Sequence, residues 1–124
     1  MAYTYAFEKL NVWKNARMMV KTIYQLTSVF PIVEKYGLTA QMRRASISVV
    51  SNIAEGSGRK SLKDQSHFYH MAYSSCIELL NQAIISNDLD YLNIADLDSF
   101  RSEVETVSNK LNALRNSCSR ESPG

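Results

Sequence analysis

From Leu38 to Glu55 the chain carries neither Pro nor Gly, and its apolar residues return every third or fourth position. At 100° per residue, Leu38, Met42, Ala45, Val49 and Ile53 share one narrow arc. Ile47, Val50 and Ala54 form a second apolar arc with Arg43 among them, and Arg44, Ser48, Ser51 and Glu55 line a polar third. The pattern predicts one helix, with Thr39 as its N-cap and Gly56 as its stop. Two apolar faces on one helix require two sets of neighbours.

Three further helices follow from the same periodicity. Phe7 to Phe30 holds Trp13, Ala16, Val20, Ile23 and Thr27 at helical spacing, and Phe30-Pro31 ends it because the residue before a proline leaves the helical region. Ser61 to Asn87 opens on Ser61-Leu-Lys-Asp64, which is shaped like a capping box. On it, Phe68, Ala72, Cys76, Leu79 and Ala83 make one face, and Tyr69, Tyr73, Ile77, Leu80 and Ile84 a second. Together they cover roughly 240° of the helix, more than a peripheral helix needs. That excess makes Tyr69, Tyr73, Ile77, Leu80 and Ile84 the candidate oligomer interface. From Ile94 to Asn116, after Asn93 as a cap, Leu97, Phe100, Val104, Val107, Leu111 and Leu114 form a heptad seam. Four helices with short connections predict an all-α, antiparallel up-down-up-down four-helix bundle over residues 1–117, with residues 118–124 as a disordered tail.

Composition changes this picture little. A 124-residue chain with 45% hydrophobic and 21% charged residues is one ordinary globular domain. The net charge of +2 is too small to imply a nucleic-acid partner, but it is unevenly spread. Residues 1–60 carry nine Lys and Arg against three acids, and residues 61–124 five against nine. Cys76 and Cys118 fall in unlike contexts, so no disulfide framework is expected. No window is apolar for long enough to span a membrane and the N-terminus does not read as a secretory signal, so the expected location is the cytoplasm.

The chain resembles the four-helix-bundle proteins of intervening sequences in bacterial 23S ribosomal RNA genes. The resemblance is carried by Phe7-x-x-Leu10-x-Val12-Trp13-x-x-Ala16, Ile23-Tyr24 and Phe30-Pro31-x-x-Glu34-x-x-Gly37-Leu38. Its most specific part is Gln41-x-Arg43-Arg44-Ala45-x-x-Ser48-x-x-Ser51-Asn52-Ile53-Ala54-Glu55-Gly56-x-Gly58-Arg59. The sequence departs from the pattern at Val50, where many members carry Pro, and at Tyr73-Ser74, where an Arg-Gly pair is common. The resemblance implies a homo-oligomer, pentameric in relatives. It also implies kinship with the accessory protein of diversity-generating retroelements, a basic pentamer that works with a reverse transcriptase and RNA.

The candidate chemistry is sparse. Lys14, Arg17 and Lys21 share an edge of the first helix, Arg59 and Lys60 follow the second, and Arg43 reaches outward by its long stem. These six are the candidate nucleic-acid-binding residues, for RNA or DNA. Arg44, Asn52, Glu55 and Glu78 form the candidate structural polar cluster, with Arg44 and Glu55 read as a buried pair fixing helix register. Ser48 has no base, and His67 and His70 lie on a polar arc without a second ligand motif, so no catalytic residue, metal or cofactor is expected. Tyr69 and Tyr73 could stack on bases, but their apolar neighbours favour protein contact. The expected function is a non-enzymatic, oligomeric nucleic-acid-binding accessory protein. The alternative is a protein-interaction scaffold without nucleic acid.

Overall fold

The structure is a computed structural model that describes the backbone of residues 2–121 and the side chains of residues 2–119. Four α-helices, α1 Asn11–Thr27, α2 Leu38–Ser57, α3 Leu62–Asp88 and α4 Ile94–Glu121, account for most of it, and no strand occurs among the described residues. Side-chain bonds fix the register. Ser86 donates to Met42 Sδ at 3.4 Å while Ser48 and Ser75 share a hydroxyl bond of 2.9 Å, so α2 and α3 run antiparallel. Lys110 donates to Asn15 at 2.6 Å and Thr22 to Glu103 at 3.0 Å, which sets α4 antiparallel to α1. Each helix packs on its two neighbours in a ring, and diagonal pairs do not approach. This is the expected four-helix bundle.

The apolar arcs meet along the axis. Met19, Ile23, Met42, Val49, Ile53, Leu79, Phe100, Val107 and Leu111 are fully buried or within 1% of it. Each such side chain contributes roughly 1.5–3 kcal/mol by leaving water. On the second arc of α2, Arg43 reaches α1, Val50 is half-buried against the core, and Ile47 is left 43% exposed.

Boundaries differ from expectation in physically simple ways. The first helix does not start at Phe7. A 3-10 turn, Ala6–Lys9, precedes it, and Leu10 is extended (φ −73°, ψ 126°), which separates the turn from α1. Its end moves to Thr27, after which Phe30 N–H bonds Thr27 O in a tight turn. Thr39 is buried inside α2 and is no cap; instead Glu34 Oε1 accepts from Leu38 N–H at 3.1 Å. Ser61 and Asn93 do cap α3 and α4, accepting from Asp64 N–H (3.0 Å) and Asp96 N–H (2.8 Å). The tail expected from residue 118 is corrected in part: α4 continues to Glu121 because Cys118 is a core residue, 6% exposed. Residues 122–124 lie outside the described residues.

Glu34 also ties both connections at one end together. Its Oε2 accepts from Tyr91 Oη at 3.1 Å, and the Tyr91 ring packs on Phe30 with centroids 5.5 Å apart. The connection between α1 and α2 is therefore held firmly, although Val29, Ile32, Val33 and Tyr36 on it are each at least 80% exposed.

Candidate functional site

The basic edge of α1 forms because Lys14, Arg17 and Lys21 fall within about 60° of arc on the side away from the core. All three are exposed. The Arg17 guanidinium lies 5.3 Å from the Trp13 ring centroid, and no acidic side chain pairs with any of the three among the described residues. Arg59 and Lys60 are exposed in the connection between α2 and α3. Antiparallel packing sets the start of α1 beside the end of α2, so Lys14 and the Arg59-Lys60 pair belong to the same end of the bundle. Arg59 is partly committed: it reaches Glu55 at 4.0 Å and its guanidinium carbon sits 4.4 Å over Phe68.

Arg43 does not join them. Its Nε donates to Thr27 Oγ1 at 3.0 Å and its guanidinium carbon lies 4.6 Å over Tyr24, both at the far end of α1. The fourteen helical steps from Arg43 to Ser57, the end of α2, already place it about 21 Å from the connection that holds Arg59, at 1.5 Å per residue. It is a helix-pinning residue, and the six-residue basic set reduces to five.

The polar cluster is also rearranged. Arg44 and Glu55 are exposed and do not pair; Glu55 faces Arg59, one turn on, with side chains 60% and 47% exposed. The expected buried pair fails because residues eleven apart on one helix lie about 16 Å apart along its axis. The bonds that fix helix register are instead neutral. Asn52 Nδ2 donates to Ser48 O (2.9 Å) and Ser48 Oγ (3.1 Å), and Ser48 meets Ser75 across the helices. Gln41, Arg44, Ala45, Ser48 and Glu78 line an open cleft of about 350 Å³ between α2 and α3. Glu78 accepts there from Gln82 Nε2 at 3.2 Å. Gln41 is legible in the sequence only as part of the family motif, and Gln82 is not singled out there at all. The spacing Gln41, Arg44, Ser48, three and four apart on one face, is the signal that would have found the first.

The second face of α3 is largely used within the chain's own bundle. Tyr69 is 4% exposed and belongs to the core, so it can neither serve a subunit interface nor stack on a base. Tyr73, Leu80 and Ile84 are half-buried against the same core, with Arg115 of α4 5.6 Å over the Tyr73 ring. Only Ile77, at 45%, is counted among the exposed ones. The apolar arc is wide because a bundle helix has two flanking neighbours, and α3 packs closely along both α2 and α4.

Little here resembles a reaction centre. Cys76 is fully buried, and burial pushes its thiol up to about 12, far from a nucleophile's range. No group of three or more His, Cys, Asp or Glu suited to a metal occurs among the described residues, and His67 and His70 are exposed. No helix is long and apolar enough to cross a membrane among the described residues.

Comparison with known proteins agrees with the fold. No curated protein matches the chain. A solved protein of unknown function from the S23 ribosomal protein family of Bacteroides thetaiotaomicron is similar in structure, with a TM-score of 0.77 at 15% identity. The match covers 84% of this chain and 97% of that one. The family described as 23S rRNA-intervening sequence protein matches residues 8–113, most of the 124 residues. With a four-helix bundle in place beneath that match, the chain belongs to the 23S rRNA-intervening sequence protein family.

Proposed function

We propose that this protein is a non-enzymatic, homo-oligomeric accessory protein that binds nucleic acid, RNA or DNA, through its basic edge. The observation that carries the reading is the unneutralised row of Lys14, Arg17 and Lys21, exposed on one side of α1, with Lys60 exposed at the same end of the bundle as Lys14. Few charges per chain give weak phosphate binding, but a symmetric assembly repeats them on every subunit and avidity multiplies the effect. Self-association is supported by large apolar residues that a single chain leaves in water, above all Val29, Ile32, Val33 and Tyr36 on a firmly held connection. By family resemblance the assembly is a pentamer, and kinship with the accessory protein of diversity-generating retroelements points to a reverse transcriptase as a candidate partner. From the sequence, the expected location is the cytoplasm.

A triple reversal, Lys14→Glu, Arg17→Glu and Lys21→Glu, tests the proposal. Binding to structured RNA and duplex DNA at low salt is lost while the mass by light scattering is unchanged. Wild-type binding retained by the triple variant, or absent from the wild type, favours the second reading, a protein-interaction scaffold. That reading is supported by the same exposed apolar connection.

A further inference from the structure

The cleft between α2 and α3 carries opposite polar demands on its two walls. On the α2 wall the side chains of Gln41 and Arg44 have no partner among the described residues. On the α3 wall Glu78 is exposed and accepts one bond at Oε1, from Gln82, leaving Oε2 unused. Gln82 itself is 6% exposed, and its Oε1 is the one buried side-chain atom without a hydrogen-bond partner among the described residues. That orphaned acceptor belongs to the interior of α3's packing and not to the cleft lining, which is formed by Gln41, Arg44, Ala45, Ser48 and Glu78. The cleft floor is held in place, because Ser48 is tied to Ser75 and Asn52.

We infer that this cleft is a guanine-binding site that selects guanosine in single-stranded RNA. The inference rests on the nucleic-acid reading above and adds a base-specific site to it. A volume of about 350 Å³ is at the small end of ligand clefts, room for one planar group rather than a helix or a duplex. A carboxylate opposite a guanidinium asks for a group with two parallel donors on one edge and two acceptors on the next. Among the bases only guanine has both: N1–H and the N2 amine for Glu78, O6 and N7 for Arg44. Adenine, cytosine and uracil each place an acceptor within the edge a carboxylate would have to meet. Single-stranded RNA can turn a base out into such a cleft while its phosphates follow a basic surface.

The test compares a uridine oligomer carrying central guanosines with all-uridine and inosine-substituted versions, at fixed low salt, by fluorescence anisotropy. The guanosine oligomer binds about tenfold or more tightly, the low end of what a bidentate base contact supplies. Glu78→Gln, which replaces one acceptor by a donor, removes that preference and leaves all-uridine binding unchanged. Arg44→Ala weakens guanosine binding alone. If all oligomers bind alike, or Glu78→Gln keeps the preference, the cleft assignment is overturned and the basic-edge reading survives. A second arm adds free guanosine or adenosine monophosphate to the labelled protein and follows the amide resonances of Ser48 and Ser75. Shifts with the guanosine compound alone, in a protein that binds no oligomer, keep the cleft and overturn the nucleic-acid reading. No response in either arm overturns both.

Discussion

Gly56 lies so close to Phe68 that a methyl group on it would sit 2.9 Å from Phe68 Cβ, and 2.9 Å from Cε1 of Tyr69. Gly56 lies inside α2, which runs on to Ser57, and does not stop it as expected; it faces α3 closely just before the turn that joins them. The contact is made by a glycine of α2 that the family pattern shares, against Phe68 and Tyr69 near the start of α3. Gly56→Ala gains helix propensity of roughly 0.5–1 kcal/mol but overpacks at a cost of about 1–3 kcal/mol. Because one clash is with a Cβ rather than a flexible tip, the overpacking wins. Urea unfolding should show a net loss of about 1–2 kcal/mol.

Asp90 gives the opposite sign. It has φ 63°, and around it Asp90 N–H bonds Asn87 O (3.0 Å) while Tyr91 N–H bonds Ser86 O (2.9 Å). That is a Schellman ending with an aspartate where glycine fits best, at the negative end of a helix dipole. Asp90→Gly should stabilise by about 0.5–1 kcal/mol and raise the melting temperature.

Two adjacent arginines should separate cleanly. Arg43→Ala loses the bond to Thr27 and the contact over Tyr24, and should cost about 1–3 kcal/mol. Arg44→Ala removes an exposed side chain without a partner and should shift stability by less than about 0.5 kcal/mol. Thermal melts of the two variants side by side decide it.

How far the sequence could be read follows from these residues. Helix number, order and core faces were legible because burial in a bundle imposes a 3.6-residue period, and Met42, Val49 and Ile53 obey it. Ser61 and Asn93 were legible as caps because their bonds are local. Arg43 and Arg44 were legible as lying on different arcs, but not in their roles, since which of the two meets Thr27 depends on how α2 is rotated against α1. Cys118 looked like tail because its neighbours are polar, and only the length of α3 beside it gives it a core to enter. The candidate basic edge was visible as spacing, whereas only the α2 wall of the cleft was, because the cleft needs two helices at once and their relative register is not written in either stretch.

Glu103 offers a pH test. Burial between α1 and α4 raises its pKa, and the Thr22 hydroxyl bond opposes this only in part. With a folded pKa above the unfolded one, its favourable contribution is present below the unfolded value and is lost as pH rises through the folded value. Glu103→Gln should therefore melt higher than the wild type at pH 7, by less than about 1 kcal/mol at this half-buried site, and the difference should vanish under acid conditions. Paired melts across that range check the sign.

The central claim, that the basic edge meets phosphates, is tested most directly by salt titration of wild-type binding to single-stranded RNA. Three phosphates neutralised at about 0.7 counterion each predict a slope of log affinity against log salt of about −2 or steeper. The triple reversal of Lys14, Arg17 and Lys21 should flatten it. A slope near zero, or no binding at the lowest salt, would contradict the account.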